Sequence, residues 1–199
     1  MKENNWFDPF YIQSHLSEEE SNIQKNVRDF CNNELKPTVV ERNRKNEFDQ
    51  DLYPKFGSLG VLGQTVKTHG GSGTSNLAYG LVAYEFEKID SSYRSSISVQ
   101  SSLVIHPINE FGSQEQKDKY LPQLIKGEKI GCFGLTESEA GSDPASMKTS
   151  FKKTKDGYIL NGSKNWITNA PIADIFIIWA IEENKAVSYT HLRAHETGY

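Results

Sequence analysis

The chain has 199 residues, 36% of them hydrophobic, 11% aromatic and 24% charged, with a net charge of −4 and a mean hydropathy of −0.60. That length suits one or two domains with enough apolar and aromatic side chains to bury a core. Lys and Arg are scattered rather than striped, which argues against a nucleic-acid surface, and no apolar stretch approaches the roughly 20 residues of a membrane span.

The opening residues, MKENNWFDPF, hold no apolar secretory core. Cys31 and Cys132 lie in otherwise apolar patterns and read as two buried thiols rather than a disulfide. The expected setting is the cytoplasm, or the mitochondrial matrix in a eukaryote, although no transit peptide is visible.

The first two-thirds reads as helix. Ser17 with Glu20 forms a capping box, and Ile23, Val27, Phe30, Cys31 and Leu35 follow at helical spacing until Pro37 limits the run. A short segment over 51–58 is closed by Gly60. After the flexible residues 70–73 a third helix should start near Ser75, with Leu77, Leu81, Tyr84, Phe86 and Ile89 on its apolar face. Residues 91–105 are small and hydroxylated between apolar positions and predict a closely packed helix, with His106 at its close. Ser113 and Gln116 form a second capping box, for a helix that ends at Gly127.

Beyond Glu128 the signals are those of strands. Residues 129–135 are small and apolar. Residues 149–155 and 157–160 flank the Asp156-Gly157 turn, Asn161-Gly162 predicts a second hairpin leading into 165–168, and 174–181 reads as a buried strand. The expected class is α+β: an all-helical domain over 1–128, then over 129–186 the first strands of a β-sandwich or barrel that does not finish. Residues 187–199 read as a non-native tail, because VSYTHLRAHET resembles a translated sequencing adapter. His191 and His195 within it have the i, i+4 spacing of a metal pair, but no third ligand is visible and no metal site is nominated.

Residues 131–143, GCFGLTESEAGSD, run from a strand into a turn of small residues and then Asp143-Pro144. Exposed N–H groups around Gly141 and Ser142 suit a phosphate, although an ordinary glycine-rich loop has the same composition. Residues 71–76 lack the third glycine and the βαβ context of a dinucleotide fingerprint. Arg94 sits among small and apolar residues with only Asp90 nearby as a local partner. It either forms a structural ion pair or awaits an anionic ligand.

Residues 131–143 together with NGSKNWITN over 161–169 resemble the flavin-binding segments of the acyl-CoA dehydrogenase family, and the resemblance runs from about Phe7 to Ala186. The family usually has Pro-Gly where this chain has Ser138-Glu139, which leaves the loop less stiff but keeps its Gly-Ser-Asp end. The resemblance implies FAD as cofactor, held by Phe133, Gly134, Leu135, Thr136, Gly141 and Ser142, with Trp166, Ile167 and Thr168 against the isoalloxazine. The segment around Arg94 is similar to that of the glutaryl-CoA dehydrogenase branch. There the matching arginine pairs with the distal carboxylate of the substrate, and Glu87 and Ser95 are the other matching positions, with Ser142 also on the substrate side. The resemblance further implies an acyl-CoA substrate, an electron-transfer flavoprotein as partner, and a homotetramer or dimer when full length. The family's catalytic glutamate belongs to a C-terminal helical domain that this sequence lacks, so no catalytic residue is nominated. Another acyl-CoA dehydrogenase, a flavin monooxygenase of the same fold, and a non-catalytic flavin- or acyl-CoA-binding fragment are the alternatives.

Overall fold

The computed structural model describes residues 8, 10–183 and 194–196. Seven α-helices come first: α1 (Glu18–Phe30), α2 (Val39–Lys45), α3 (Leu52–Ser58), α4 (Asn76–Glu87), α5 (Ser91–Ser98), α6 (His106–Phe111) and α7 (Gln114–Ile125). Both capping boxes are present, Ser17 with Glu20 and Ser113 with Gln116, and Ser75 caps α4 by accepting from the Ala78 N–H. These ends are local, each set by a hydroxyl that satisfies a backbone donor of the first turn.

Two helices run on through π-helical segments, Cys31–Leu35 after α1 and Val99–Ile105 between α5 and α6. The second corrects the reading of His106 as a helix end. The helix continues to Phe111, and the widened π turn precedes Pro107, whose missing N–H an ordinary turn would have needed. The buried face of α4 also differs from expectation. Ala78, Leu81, Val82, Glu85 and Phe86 face inward, whereas Leu77 and Tyr84 are about half exposed. Glu85 takes an inward position because Gln24 (2.9 Å), Arg28 (2.9 Å) and Lys88 (3.2 Å) surround its carboxylate. Burial alone would raise that carboxyl; the bonds to Arg28 and Lys88 outweigh it and leave it below the usual carboxylate range.

The strands are β1 (Gly131–Gly134), β2 (Ser150–Lys153), β3 (Tyr158–Asn161), β4 (Ile175–Ile178), β5 (Ile181–Glu182) and β6 (Ala194–Glu196). One sheet has the order β1-β4-β6, with β1 and β4 parallel; the other has the order β3-β2-β5, with β2 and β3 an antiparallel hairpin. The helical part followed by strands agrees with the α+β expectation. Two strand expectations are corrected. Residues 162–168 form no strand, so Asn161-Gly162 starts no second hairpin. Residues 187–199 read as a non-native tail, yet within them Ala194–Glu196 pairs antiparallel with β4. The open edge of β4 bonds through backbone groups and so accepts an extended segment whatever its side chains. His191 lies outside the described residues.

A single apolar core joins both parts. Phe56, Phe86, Val104, Ile105 and Leu124 from the helices pack in one cluster with Ile130, Ile175 and Ile177. Gln100, fully buried, closes the seam. Its amide nitrogen donates to the carbonyls of Leu124 (3.0 Å) and Lys129 (2.9 Å), and its oxygen accepts from the Gly131 N–H (2.8 Å). Gly131 is tight against the same helix, since a Cβ there would lie 2.5 Å from Val104 Cγ1.

Gly131→Ala should therefore cost about 1–3 kcal/mol by overpacking a β-branched neighbour. Gly80→Ala, on the open side of α4 with nothing within 4 Å, should gain roughly 0.5–1 kcal/mol. Gln100→Leu strands three backbone groups and should lose about 3 kcal/mol or more. Urea denaturation of the three variants beside the parent measures all of these, and equal midpoints for the two glycine variants would contradict the packing argument.

Candidate functional site

Strand β1 hands the chain to a loop over 135–149 that folds back on itself. The Glu137 and Ala140 backbones bond reciprocally at 3.1 and 3.2 Å. Asp143 accepts from the Ala145 N–H and Pro144 follows it, which starts one turn of 3-10 helix. Gly141 and Ser142 stand exposed between these two devices, and the N–H groups of 141–143 donate no hydrogen bond among the described residues. The hydroxyls of Thr136, Ser142 and Thr168 likewise have no partner there.

The loop is anchored from inside. Glu137 and Lys164 have side chains only 8% exposed and meet at 2.7 Å. Lys164 Nζ also donates to the Leu135 carbonyl at 2.9 Å, and the Glu137 carboxylate accepts the N–H groups of Lys148 (2.6 Å) and Thr149 (3.0 Å). Burial pushes the Glu137 carboxyl up, but the Lys148 N–H, the Lys164 ammonium and the Thr149 N–H outweigh it and hold it at about 2. Neither Glu137 nor Lys164 was singled out from the sequence. The first acid after an apolar strand and a lone lysine within 161–169 were the available signals.

Residues 162–168 replace the expected second strand. The Asn165 N–H donates to the Thr136 carbonyl at 2.9 Å, and the next residue, Trp166, adopts φ of +60° with its side chain turned out to 93% exposure. A left-handed, non-glycine residue costs about 1–2 kcal/mol, and a large exposed indole adds an apolar face to water. Strained backbone and an exposed indole thus coincide at one residue. Ile167 and Thr168 are half-buried beside it. Phe133 packs edge-on against Trp179, with ring centroids 5.9 Å apart, while Gly134 is buried and Leu135 and Thr136 are half-buried.

Of the nominated substrate residues Ser142 lies on the loop over 135–149, while Glu87, Arg94 and Ser95 lie elsewhere, at the corner between α4 and α5. Arg94 Nε donates to Glu87 at 2.7 Å, and Glu87 also accepts from the Ser91 hydroxyl at 2.5 Å. Arg94 thus has a partner seven residues back, which its immediate neighbours did not reveal. Its Nη groups make no hydrogen bond among the described residues, its side chain is 38% exposed, and Ser95 beside it is half-buried. The bonds from Ser91 and then Arg94 lower the Glu87 carboxyl. No hydrogen bond or ion pair joins Glu87, Arg94 or Ser95 to Ser142 or to the loop.

Cys31 and Cys132 are free and buried, and burial pushes both thiols up to about 12, which leaves them unreactive. Among the described residues no three His, Cys, Asp or Glu side chains gather to hold a metal, and no helix is long and apolar enough to cross a membrane.

Residues 17–128 match the profile of the acyl-CoA dehydrogenase N-terminal domain, and residues 132–197 that of the middle domain. The mitochondrial isovaleryl-CoA dehydrogenase of Pongo abelii is 41% identical over 175 residues, 86% of this chain and 41% of that protein. A glutaryl-CoA dehydrogenase from Mycobacterium smegmatis, solved in complex with FADH2, is 42% identical with a TM-score of 0.85 over 88% of this chain and 45% of that one. Butyryl-CoA dehydrogenase from Megasphaera elsdenii is 38% identical with a TM-score of 0.83, over 92% of this chain and 49% of that one. The chain spans less than half the length of each of these relatives.

The anchor has a pH signature. Folding lowers the Glu137 carboxyl from its ordinary 4.5 to about 2, so its contribution is complete above about pH 4.5 and disappears as pH falls through about 2. Thermal stability of the parent should drop more steeply across that window than that of Glu137→Gln/Lys164→Met, which lacks this one titrating group while sharing all the others. Parallel profiles would show that the pair adds no acid-sensitive stability.

Proposed function

Because the chain belongs to the acyl-CoA dehydrogenase family, we propose that it forms the cofactor-holding part of an FAD-dependent acyl-CoA dehydrogenase. The observation that carries this reading is Trp166, turned outward at positive φ on a segment bonded to the end of β1. In this reading Phe133, Gly134, Leu135 and Thr136 line the ring, Gly141 and Ser142 offer their N–H groups to the pyrophosphate, and Trp166, Ile167 and Thr168 flank the isoalloxazine. FAD, when bound, supplies the acceptor for the hydride that leaves the acyl chain.

The proton next to the thioester needs a base from outside these residues. The Glu137 carboxylate is occupied by Lys164 and two backbone donors, and Glu139 is exposed and paired with Lys148. An electron-transfer flavoprotein is the proposed electron acceptor, and a homotetramer or dimer the proposed assembly.

For the substrate the reading is glutaryl-CoA, with oxidation and loss of carbon dioxide to give crotonyl-CoA. The half-exposed guanidinium of Arg94 keeps both Nη groups for a distal carboxylate, with Glu87 fixing its Nε and Ser95 adjacent. Glu87 also supports a second reading. The Arg94–Glu87 pair carries no net charge and is compatible with an uncharged short acyl group.

Arg94→Gln in the intact protein separates the two. On the first reading kcat/KM for glutaryl-CoA falls about 10- to 200-fold, the equivalent of a charged hydrogen bond pair, while butyryl-CoA changes little or improves. An equal loss for both substrates would make Arg94 structural and leave chain preference to other residues.

A further inference from the structure

We propose that the Glu137–Lys164 pair is a positioning element that sets the distance between the phosphate-facing turn at 141–142 and the indole of Trp166; the inference rests on the flavin reading above. Three chain segments converge on these two side chains. Lys164, two residues before Trp166, reaches the carbonyl of Leu135 and the carboxylate of Glu137. Glu137 opens the turn that carries Gly141 and Ser142, and its carboxylate takes the N–H groups of Lys148 and Thr149 where that turn returns to β2. One ion pair thus fixes both ends of the turn and the root of the tryptophan segment.

Little else holds that segment. Ladder pairing stops at Asn161, and residues 162–168 belong to no strand. Apart from Lys164, the segment meets the loop through the Asn165 N–H on the Thr136 carbonyl. At its start the chain is pinned close to the loop's return, since a Cβ on Gly162 (φ +147°) would lie 2.4 Å from the Thr149 hydroxyl. Trp166 itself is in a left-handed pose that it would leave if unsupported.

The chemistry of the pair also favours geometry over stability. Apolar residues of similar volume commonly stabilise a buried site as well as an ion pair does or better. What apolar residues cannot do is bond directionally to a carbonyl, two N–H groups and each other. A preorganised site needs such directional support behind the residues that touch the ligand.

The test is the double variant Glu137→Gln/Lys164→Met in the intact protein, which leaves no buried charge unpaired and so keeps its fold if either single variant loses it. Three quantities are compared with the parent: thermal midpoint, Kd for added FAD, and amide hydrogen exchange at 165–168. The expected result is a midpoint near the parent's, an FAD Kd raised about 10-fold or more, and exchange at 165–168 faster by a similar factor. Lys164→Arg, which keeps a cation with several donors, should recover most of the FAD affinity, a rescue that a purely stabilising role would not produce. A double variant that binds FAD within twofold of the parent with unchanged exchange at 165–168 overturns the proposal. A parent that takes up no FAD in the same titration refutes the flavin reading instead. The exchange data then decide alone, faster exchange upholding the positioning of Trp166 and unchanged exchange overturning it.

Discussion

The structure depends on one buried amide. Gln100 sits in the π-helical stretch between α5 and α6 and binds the end of α7, the connection after it and the first N–H of β1. A polar side chain with no exposure is tolerable only when its donors and acceptor are met, and here three backbone groups meet them. That geometry fixes where β1 leaves the helices. Asn169 and Asp174 complete the fixing from the other side, bonding to the Gly131 carbonyl and the Ile130 N–H. The direction of β1 decides where residues 135–143 emerge. The π turn is part of the same solution, because its extra residue per turn both changes the facing of residues 99–105 and accommodates Pro107.

What the sequence disclosed divides along the range of the interactions. Ser17, Ser75 and Ser113 announced their helices because a cap acts over three residues, and Asp156-Gly157 announced its hairpin for a similar reason. The helix α2 had no such signal: Thr38 caps nothing with its side chain, and the helix buries no residue fully, with Val39 partly buried against the core. The assignment of α4's face failed at Glu85, where an acid is buried because Gln24 and Arg28 arrive from a helix some sixty residues earlier. The same failure hid Arg94's partner, which lies across a helix corner rather than along one helix. The Asn161-Gly162 signal failed because the residues after it are claimed by Glu137 and Thr136 before they can pair as a strand.

The candidate site was legible in a different way. Composition and spacing offered only a glycine-rich turn and a lone arginine, each with an ordinary structural explanation. Family resemblance named Trp166 and Thr168. The structure adds the physical feature that distinguishes Trp166 from a packed hairpin residue, an exposed indole on strained backbone. It also adds Lys164, which resemblance had passed over because its work is done beneath the surface.

Two ion pairs at the same 2.7 Å separation behave differently in this molecule. Arg94 and Glu87 are open to solvent, where water and salt screen the attraction and the pair is worth little. That pair can exchange partners at small cost, since among the described residues the two Nη groups make no hydrogen bond of their own. Glu137 and Lys164 are shut away from solvent, so parting them leaves charges without hydration, and nothing that arrives from outside can compete. An exchangeable pair suits a place where a ligand is chosen, and a fixed pair suits a place where a ligand is held in register. The distance between charges is therefore uninformative by itself; burial of the surrounding groups decides which of the two tasks a pair can perform.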